Sequence, residues 1–176
     1  MPDPSGFDRS GVLAELSAAR DQFATLACEM DSANRDRASV GTRWMNHQLL
    51  FHMLLGYLVV WPLLVVIEVF DRLPPVAGRQ FAALLNRGLR PFDAVNYWSG
   101  RIGAMVLSPA RIVRLSDRVI AGWEPRVRSA SDDTIGRAMC FPTRWDPFFT
   151  DAIGDLLVYP TQHFRFHERQ LDLTLR

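Results

Sequence analysis

The chain has 176 residues, of which 48% are hydrophobic and 22% charged, and its formal net charge is +1. This composition is that of one globular domain covering residues 1–176, and it excludes a disordered or fibrous protein. No basic stretch is dense enough to follow a phosphate backbone, so we expect no nucleic-acid partner.

The first predicted helix covers residues 10–31, and either Asp8 or Ser10 can cap its start. Its apolar residues recur every three or four positions and therefore share one side: Val12, Leu16, Ala19, Phe23, Leu26 and Met30. A seam of this kind is typical of a helix in a bundle. The polar segment that follows is predicted to be a loop.

The second predicted helix covers residues 46–70, and in its apolar part only His52 and Glu68 are strongly polar. The stretch approaches the length of a membrane span, although Gly56 and Pro62 interrupt its apolar character. The central helix of a soluble bundle has the same composition. We therefore predict no stable membrane insertion, with shallow membrane contact as the alternative.

An insert, 76–107, follows the prolines that end the second helix. It is predicted to contain two short helices, Val76–Leu89 and Phe92–Leu107, separated by Arg90–Pro91. Each helix has an apolar side, formed by Phe81, Leu84 and Leu85 in the first and by Val95, Trp98, Ile102 and Val106 in the second. We expect the insert to lie across one end of the bundle. Its apolar wall could line a substrate pocket or form the face of a homodimer.

The third and fourth bundle helices are predicted at 109–128 and 150–173. Ser108–Pro109 is a typical start for the third helix, and Pro160 is expected to kink or restart the fourth. No segment alternates with a period of two residues. The sequence therefore predicts an all-α fold, an up-down-up-down four-helix bundle with a helical insert between bundle helices 2 and 3.

Two histidines of the last helix, His163 and His167, are four residues apart, so both rings leave the same helix face. This is the spacing by which one helix offers two imidazoles to a metal ion. A third ligand can come from His47 or His52, but these lie about 140° apart on their helix, so only one can join. We predict His52, because it lies in the apolar part of the helix, where a polar ring needs a partner.

Trp44 is followed eight residues later by His52 within Leu-Leu-Phe-His-Met-Leu, and the last helix contains His-x-x-x-His-x-x-Gln. This pattern resembles the DinB-like family, most clearly over 40–60 and 140–173. Members of that family are four-helix bundles with a three-histidine metal site. The resemblance implies that His52, His163 and His167 are the ligands, whereas the 76–107 insert departs from the family's usual pattern.

Three neutral imidazoles suit Zn²⁺ or Ni²⁺ and leave coordination positions open for water or substrate. Such a site can activate water for hydrolysis or bind a thiolate for transfer to an electrophile. The resemblance implies a thiol S-transferase, and the use of arginine for all twenty basic residues, typical of a GC-rich genome, fits mycothiol as the thiol. The expected partner is a small-molecule electrophile or thiol. The alternatives are a metal-dependent hydrolase, a non-catalytic metal-bearing bundle that binds a hydrophobic ligand or partner, and a peripheral membrane protein.

Several other residues are candidates to support this site. Glu168, Asp151 and Asp155 could accept the N–H groups of the ligands, or could be ordinary solvated charges. Gln170 could touch the site or only pack near it. Aromatic side chains that could line its mouth are Trp44, Trp145, Phe148 and Phe149.

The two cysteines, Cys28 and Cys140, lack the spacing of a metal or redox motif, and the polar N-terminus shows no signal peptide. These features predict reduced thiols and a cytoplasmic protein.

Overall fold

The computed structural model describes residues 7–31, 33–138 and 153–173. Its helices are α1 Arg9–Glu29, α2 Asn46–Asp71, α3 Pro75–Arg87, α4 Leu89–Val106, α5 Pro109–Ser129, α6 Asp132–Gly136 and α7 Ile153–Glu168. Within the described ranges there is no β-strand, and an isolated bridge joins Ala38 to Met45. The predicted all-α fold is confirmed. The short helix α6 was not predicted, and the rest of the 129–150 connection lies mostly outside the described residues.

The core is shared by α1, α2, α5 and α7. The carboxylate of Asp8 caps α1 by accepting the N–H of Gly11 at 2.9 Å, which selects Asp8 over the other predicted cap. All six residues of the predicted apolar seam of α1 are buried. Phe23 lies at the centre, with its ring centroid 4.7 Å from that of Phe164 in α7 and 6.3 Å from that of Tyr57 in α2.

Contacts at the helix ends establish the directions of the four core helices α1, α2, α5 and α7. The Arg9 guanidinium donates to the carbonyl oxygen of Val127 at 3.1 Å, so α1 starts where α5 ends. The N–H of Ile153 donates to the carbonyl oxygen of Arg137, whose guanidinium lies 3.7 Å from the carboxylate of Asp71, so α7 starts and α2 ends nearby. A Cβ at Gly154, in the first turn of α7, would lie 3.7 Å from the ring of Phe7, which precedes α1, so α1 and α7 start at the same end. The predicted up-down-up-down order is therefore wrong. The helices run up, down, down and up, with α2 parallel to α5.

Two consecutive parallel helices need a connection that returns the chain along the molecule, and α3 with α4 supply it. Phe81 of α3 stacks on Phe70 near the end of α2, with centroids 4.6 Å apart. Trp44, just before α2, donates its indole N–H to the carbonyl oxygen of Tyr97 in α4 at 3.3 Å. The insert thus lies along the side of α2 and not, as predicted, across one end.

Three prolines affect the helices less than the sequence suggested. The two insert helices meet at Gly88, and Pro91 lies in the first turn of α4, where an N–H has no intrahelical partner to lose. Pro125 lies inside α5, which continues to Ser129, one residue beyond the predicted end. Pro160 lies inside a continuous α7, so that helix does not restart there.

The end of α7 at Glu168 comes earlier than the predicted 173 because the following residues bond elsewhere. The N–H of Val40 donates to the carbonyl oxygen of Gln170 at 2.7 Å. The buried amide of Asn46 accepts the N–H of Asp172 at 3.1 Å and donates to its carbonyl oxygen at 2.8 Å. These bonds join the start of α2 to the end of α7, and so bring together the histidine-bearing turns of the two helices.

Among the described helices, only α2 is long and apolar enough to cross a membrane by length and composition. Its most apolar 18-residue window has a mean hydropathy of 2.3, and 33% of that window is buried in the fold. Buried residues of α2 include Leu54, Tyr57 and Leu64, which belong to the common core. Part of the apolar character of this helix is therefore explained by packing.

Candidate metal centre

Three buried histidine rings meet between α2 and α7, and they are the three that the sequence singled out. His52 comes from α2, and His163 and His167 lie one turn apart on α7. The ring centroids are 4.9 Å apart for His52 and His163, 4.7 Å for His52 and His167, and 4.5 Å for His163 and His167. The three side chains form a compact triangle that could hold a metal ion.

The distances within the triangle suit a metal ion. The Nε2 atoms of His52 and His167 are 3.2 Å apart. Two nitrogens bound tetrahedrally to one ion at about 2.0–2.1 Å would be about 3.3 Å apart. One potential ligand atom from each of the three rings lies within 4.8 Å of the others. Closing a separation of 4.8 Å to about 3.3 Å requires a movement of about 1.5 Å, shared between the rings, for all three to reach one ion.

Burial keeps the imidazoles of His52 and His163 neutral, which is the form that binds a metal. Burial, and to a smaller extent the neighbouring His167, lowers the pKa of His52 from 6.5 to about 3. Burial likewise lowers the pKa of His163 well below 6.5, with smaller effects from the other two histidines. The Nδ1 atoms of His52 and His163 are also buried, and neither has a hydrogen-bond partner among the described residues. An unpaired buried polar atom costs about 1–3 kcal/mol, so the cluster destabilises the fold unless another interaction compensates.

Gln170 orients one of the three rings. Its side-chain Oε1 lies 2.6 Å from Nδ1 of His167, and an amide oxygen can only accept, so Nδ1 carries the proton. The lone pair of His167 is therefore on Nε2, the atom that faces His52. Gln170 is held by the bond from Val40, next to Gly41, whose φ of 72° places it in the left-handed region that favours glycine. Gln170 therefore touches the site and does not only pack near it.

Gly56 makes room for His163, a role that the sequence analysis missed. A Cβ atom at position 56 would lie 2.5 Å from Nδ1 of His163, closer than two such atoms can approach. Gly56 is four residues after His52 and so lies on the same face of α2, one turn further along. The sequence did contain a signal for this role, because Gly56 lies one helical turn from the candidate ligand His52.

An aromatic stack covers one side of the cluster. The indole of Trp44 stacks on the His52 ring with centroids 4.2 Å apart and an interplanar angle of 24°. Tyr97 of α4 stacks on the other part of this indole at 6.2 Å. Gly100 permits the contact, since a Cβ there would lie 2.9 Å from Nε1 of Trp44. Trp44 therefore lines the site, whereas Trp145, Phe148 and Phe149 lie outside the described residues.

Two arginines surround the outer end of this stack. The guanidinium carbon of Arg43 lies 4.6 Å from the centroid of the Tyr97 ring, and that of Arg101 lies 5.7 Å from it. Arg101 also donates to the hydroxyl of Tyr97 at 2.9 Å. Neither arginine has a carboxylate partner within the part of the chain that the structure describes. The stack therefore leads from the histidines to an uncompensated positive charge.

The remaining candidates do not join the cluster. His47 bonds through Nδ1 to the carbonyl oxygen of Arg35 at 2.7 Å, away from the three histidines. Glu168 accepts from the Arg165 guanidinium at 3.1 Å. Asp155 precedes His163 by eight residues, about 12 Å along the helix axis, which is too far to accept a ring N–H. Asp151 lies outside the described residues.

No match to this chain was found among models of protein families, curated proteins or solved structures. The resemblance to the DinB-like family therefore rests on Trp44, on the three histidines and on Gln170. The arguments for function rest on the geometry of the same residues.

Proposed function

We propose that this protein is a metal-dependent enzyme of the DinB-like type, with Zn²⁺ or Ni²⁺ held by His52, His163 and His167. The observation that carries the proposal is the triangle of buried imidazoles, with two Nε2 atoms 3.2 Å apart. We also propose that α1, α2, α5 and α7 form a four-helix bundle of that family. In the proposed bundle, α3 and α4 form the segment that returns the chain from the end of α2 to the start of α5.

The ligand set favours a working site over a closed structural one. Within the described residues no cysteine or carboxylate joins the three histidines, and structural zinc sites normally have four protein ligands. Three ligands leave at least one coordination position for an exogenous group. Neutral imidazoles suit both Zn²⁺ and Ni²⁺.

The proposed reaction is the transfer of a thiol, of the mycothiol type, to a small-molecule electrophile. A bound divalent ion would lower the pKa of a thiol, so that the thiolate exists at neutral pH. The thiol loses its proton to solvent, sulfur forms a bond to the electrophilic carbon, and the leaving group departs with its electron pair. Gln170 holds His167 in the tautomer that the site needs, and Trp44 keeps water from one side of His52.

Hydrolysis is the alternative reaction, and one observation makes it the second choice. A hydrolase of this kind commonly uses a carboxylate as general base beside the activated water. Glu168 is instead paired with Arg165, and no other carboxylate lies in the histidine cluster within the described residues. A thiolate is itself the nucleophile and needs no such base. A non-catalytic bundle that carries the metal and binds a hydrophobic ligand is the outcome if no turnover is found.

The positive charge near Tyr97 favours a substrate with an anionic group. Arg43 and Arg101 lie around the ring that extends the His52–Trp44 stack. A carboxylate or phosphate placed there would gain charge-assisted hydrogen bonds. A thiol or electrophile that carries such a group is therefore the preferred substrate class, and a cytoplasmic location is the expected one.

The first experiment is metal analysis of protein purified without a histidine tag. The expected result is about one divalent ion per chain, which is the capacity of a single three-histidine site. The Co²⁺-substituted protein then reports thiol binding, because a thiolate ligand adds a charge-transfer band to the visible spectrum. Absence of bound metal would overturn the proposal. Metal binding without thiol binding or thiol turnover would favour the hydrolase or the non-catalytic bundle.

A further inference from the structure

The exposed apolar side chains are concentrated in one part of the chain. Thirteen large hydrophobic residues are exposed among the described residues, and ten of them lie between positions 65 and 106. These ten are Val65, Val69, Leu73, Val76, Leu84, Val95, Trp98, Ile102, Met105 and Val106. Scattered single apolar residues on a surface are ordinary, but a concentration of this kind marks an interaction surface.

Five of these residues form one face of α4, which we call the outer face. It consists of Val95, Trp98, Ile102, Met105 and Val106, whose spacing places them on one side of the helix. The opposite side of α4 carries Gly100, Gly103 and Ala104, which permit close packing against Trp44 and α2. The sequence predicted correctly which residues form the apolar side of this helix. The contact with the core, however, is made by the small residues on the opposite side. The large apolar residues face solvent.

The same segment has a net positive charge, whereas the rest of the chain has a net negative charge. Residues 72–106 contain five arginines and one acidic residue, Asp93, and so have a net charge of +4. The remaining residues contain fifteen arginines and eighteen acidic residues, a net charge of −3. Arg87 and Arg90 are exposed, and Arg101 lies with its guanidinium carbon 5.3 Å from the Trp98 ring. Apolar exposure and positive charge therefore coincide.

We propose that the outer face of α4 binds the surface of an anionic lipid membrane. A helix that lies in a membrane interface combines a tryptophan and aliphatic residues on one side with arginines beside them. The negative surface attracts the net charge of +4, while the rest of the molecule, at −3, favours one orientation. This binding is peripheral, and it involves α4 and not insertion of α2.

A second copy of the chain is a less favourable occupant of this face. In a two-fold dimer the same patch meets itself, so two segments that each carry a charge of +4 would be brought together. Like charges facing each other oppose association, whereas an anionic lipid surface supplies the opposite sign. The charge pattern therefore decides between two partners that the apolar residues alone would both accept.

The test is co-sedimentation of the metal-loaded protein with lipid vesicles. One set of vesicles contains only phosphatidylcholine, and the other contains phosphatidylcholine with one third phosphatidylglycerol. The protein should sediment with the anionic vesicles, and binding should weaken as salt is raised, because salt screens the surface charge. Equal binding to both sets, or binding to neither, would overturn the proposal.

Two pairs of matched variants locate the contact. Val95→Ser should weaken vesicle binding about tenfold, whereas Val40→Ser should leave it unchanged. The two valines are equally exposed, at 63% and 62%, but only Val95 lies on the outer face. Arg87→Gln with Arg90→Gln should weaken binding by about fivefold per residue. The same change at the exposed Arg111 and Arg114 of α5 should have no effect.

The oligomeric state without lipid provides the remaining control. If the wild-type protein is a dimer, Val95→Ser makes it a monomer, and lipid binding is absent, then a second copy covers this face and the lipid proposal is wrong. All variants should retain the metal content and thermal transition of the wild-type protein, since the outer face makes no contact with the three histidines. Loss of the lipid interaction would leave the metal proposal untouched.

Discussion

The α2–α7 seam and the outer face of α4 depart from ordinary packing in opposite ways. The seam buries three polar histidines, with at most 9% of each residue exposed. The outer face exposes large apolar side chains, including 53% of Trp98 and 82% of Met105. Globular proteins normally place these residue types the other way round. The buried histidines lower the stability of the fold, and the exposed apolar side chains contribute little to it. A group bound from outside would compensate the first and cover the second.

The two regions differ in how firmly they are built. The histidines are held by hydrogen bonds that join the ends of two core helices, through Asn46 and Gln170, and by a glycine that gives one ring its space. The outer face consists of side chains free to adapt to a fluid partner. A metal ion needs fixed distances, whereas a lipid surface needs only apolar area and charge. Single substitutions in the α2–α7 seam test this difference.

The largest effect is expected from His52→Ala. Loss of one of three ligands should weaken metal affinity more than about 100-fold, since even a group that only supports a ligand contributes 10–100-fold. His47→Ala is the matched control on the same helix and should leave the affinity unchanged. Metal titration by calorimetry measures both, and His52→Ala should also leave vesicle binding intact. If His47→Ala removed the metal and His52→Ala did not, the proposed ligand set would be wrong.

Gly56→Ala should weaken metal affinity about 100-fold without removing any ligand. The new methyl group would occupy the position 2.5 Å from Nδ1 of His163 and displace that ring. Alanine in a helix is otherwise up to about 1 kcal/mol more favourable than glycine, so a loss here reports the displaced ligand. Gly122→Ala in α5, where the nearest atom would be at an ordinary 3.4 Å, is the control. Unchanged affinity in Gly56→Ala would show that His163 is not a ligand.

Gln170→Ala should weaken metal affinity by about tenfold or somewhat more, because His167 would lose the acceptor that sets its tautomer. Gln170→Glu keeps an acceptor at this position and should restore most of the affinity. Gln162→Ala, at an exposed position of α7, serves as control. Equal losses in the alanine and glutamate variants would indicate that Gln170 acts only by packing.

The sequence predicted the three histidines of the site but not the space that Gly56 provides for one of them. The spacing of His163 and His167 fixes their common face, and the angle between His47 and His52 allows only one of them to join. The space that Gly56 provides depends on how closely α7 approaches α2. That distance is a tertiary property, and helical periodicity does not contain it.

The fold was also predictable only in part: the sequence indicated the buried side of a helix but not its direction. The apolar periodicity of α1 identified its buried side, because a period reports which residues face the core. It does not report direction, so the parallel course of α2 and α5 was missed. The end of α7 was also missed, since it depends on bonds from Val40 and Asn46, distant in sequence. In α4, small residues pack against the core. A periodicity of large apolar residues does not identify glycine or alanine as core-facing, so this contact was missed.

The smallest expected effect is a pH dependence of stability in the metal-free protein. The pKa of His52 is about 3 in the folded state and 6.5 as its ordinary value, and that of His163 is lowered in the same direction. Below pH 6.5 the unfolded chain therefore binds protons that the folded chain does not. These histidines therefore leave the free energy of unfolding unchanged with pH above 6.5, and below it His52 lowers that free energy by up to about 1.4 kcal/mol per pH unit toward pH 3. Urea unfolding between pH 7 and 5, compared with His52→Gln and His163→Gln, measures it, and each variant should remove one histidine's share of the slope. A wild-type slope that neither variant reduces would mean that these rings are protonated in the folded state, and therefore not buried as a neutral, metal-ready cluster.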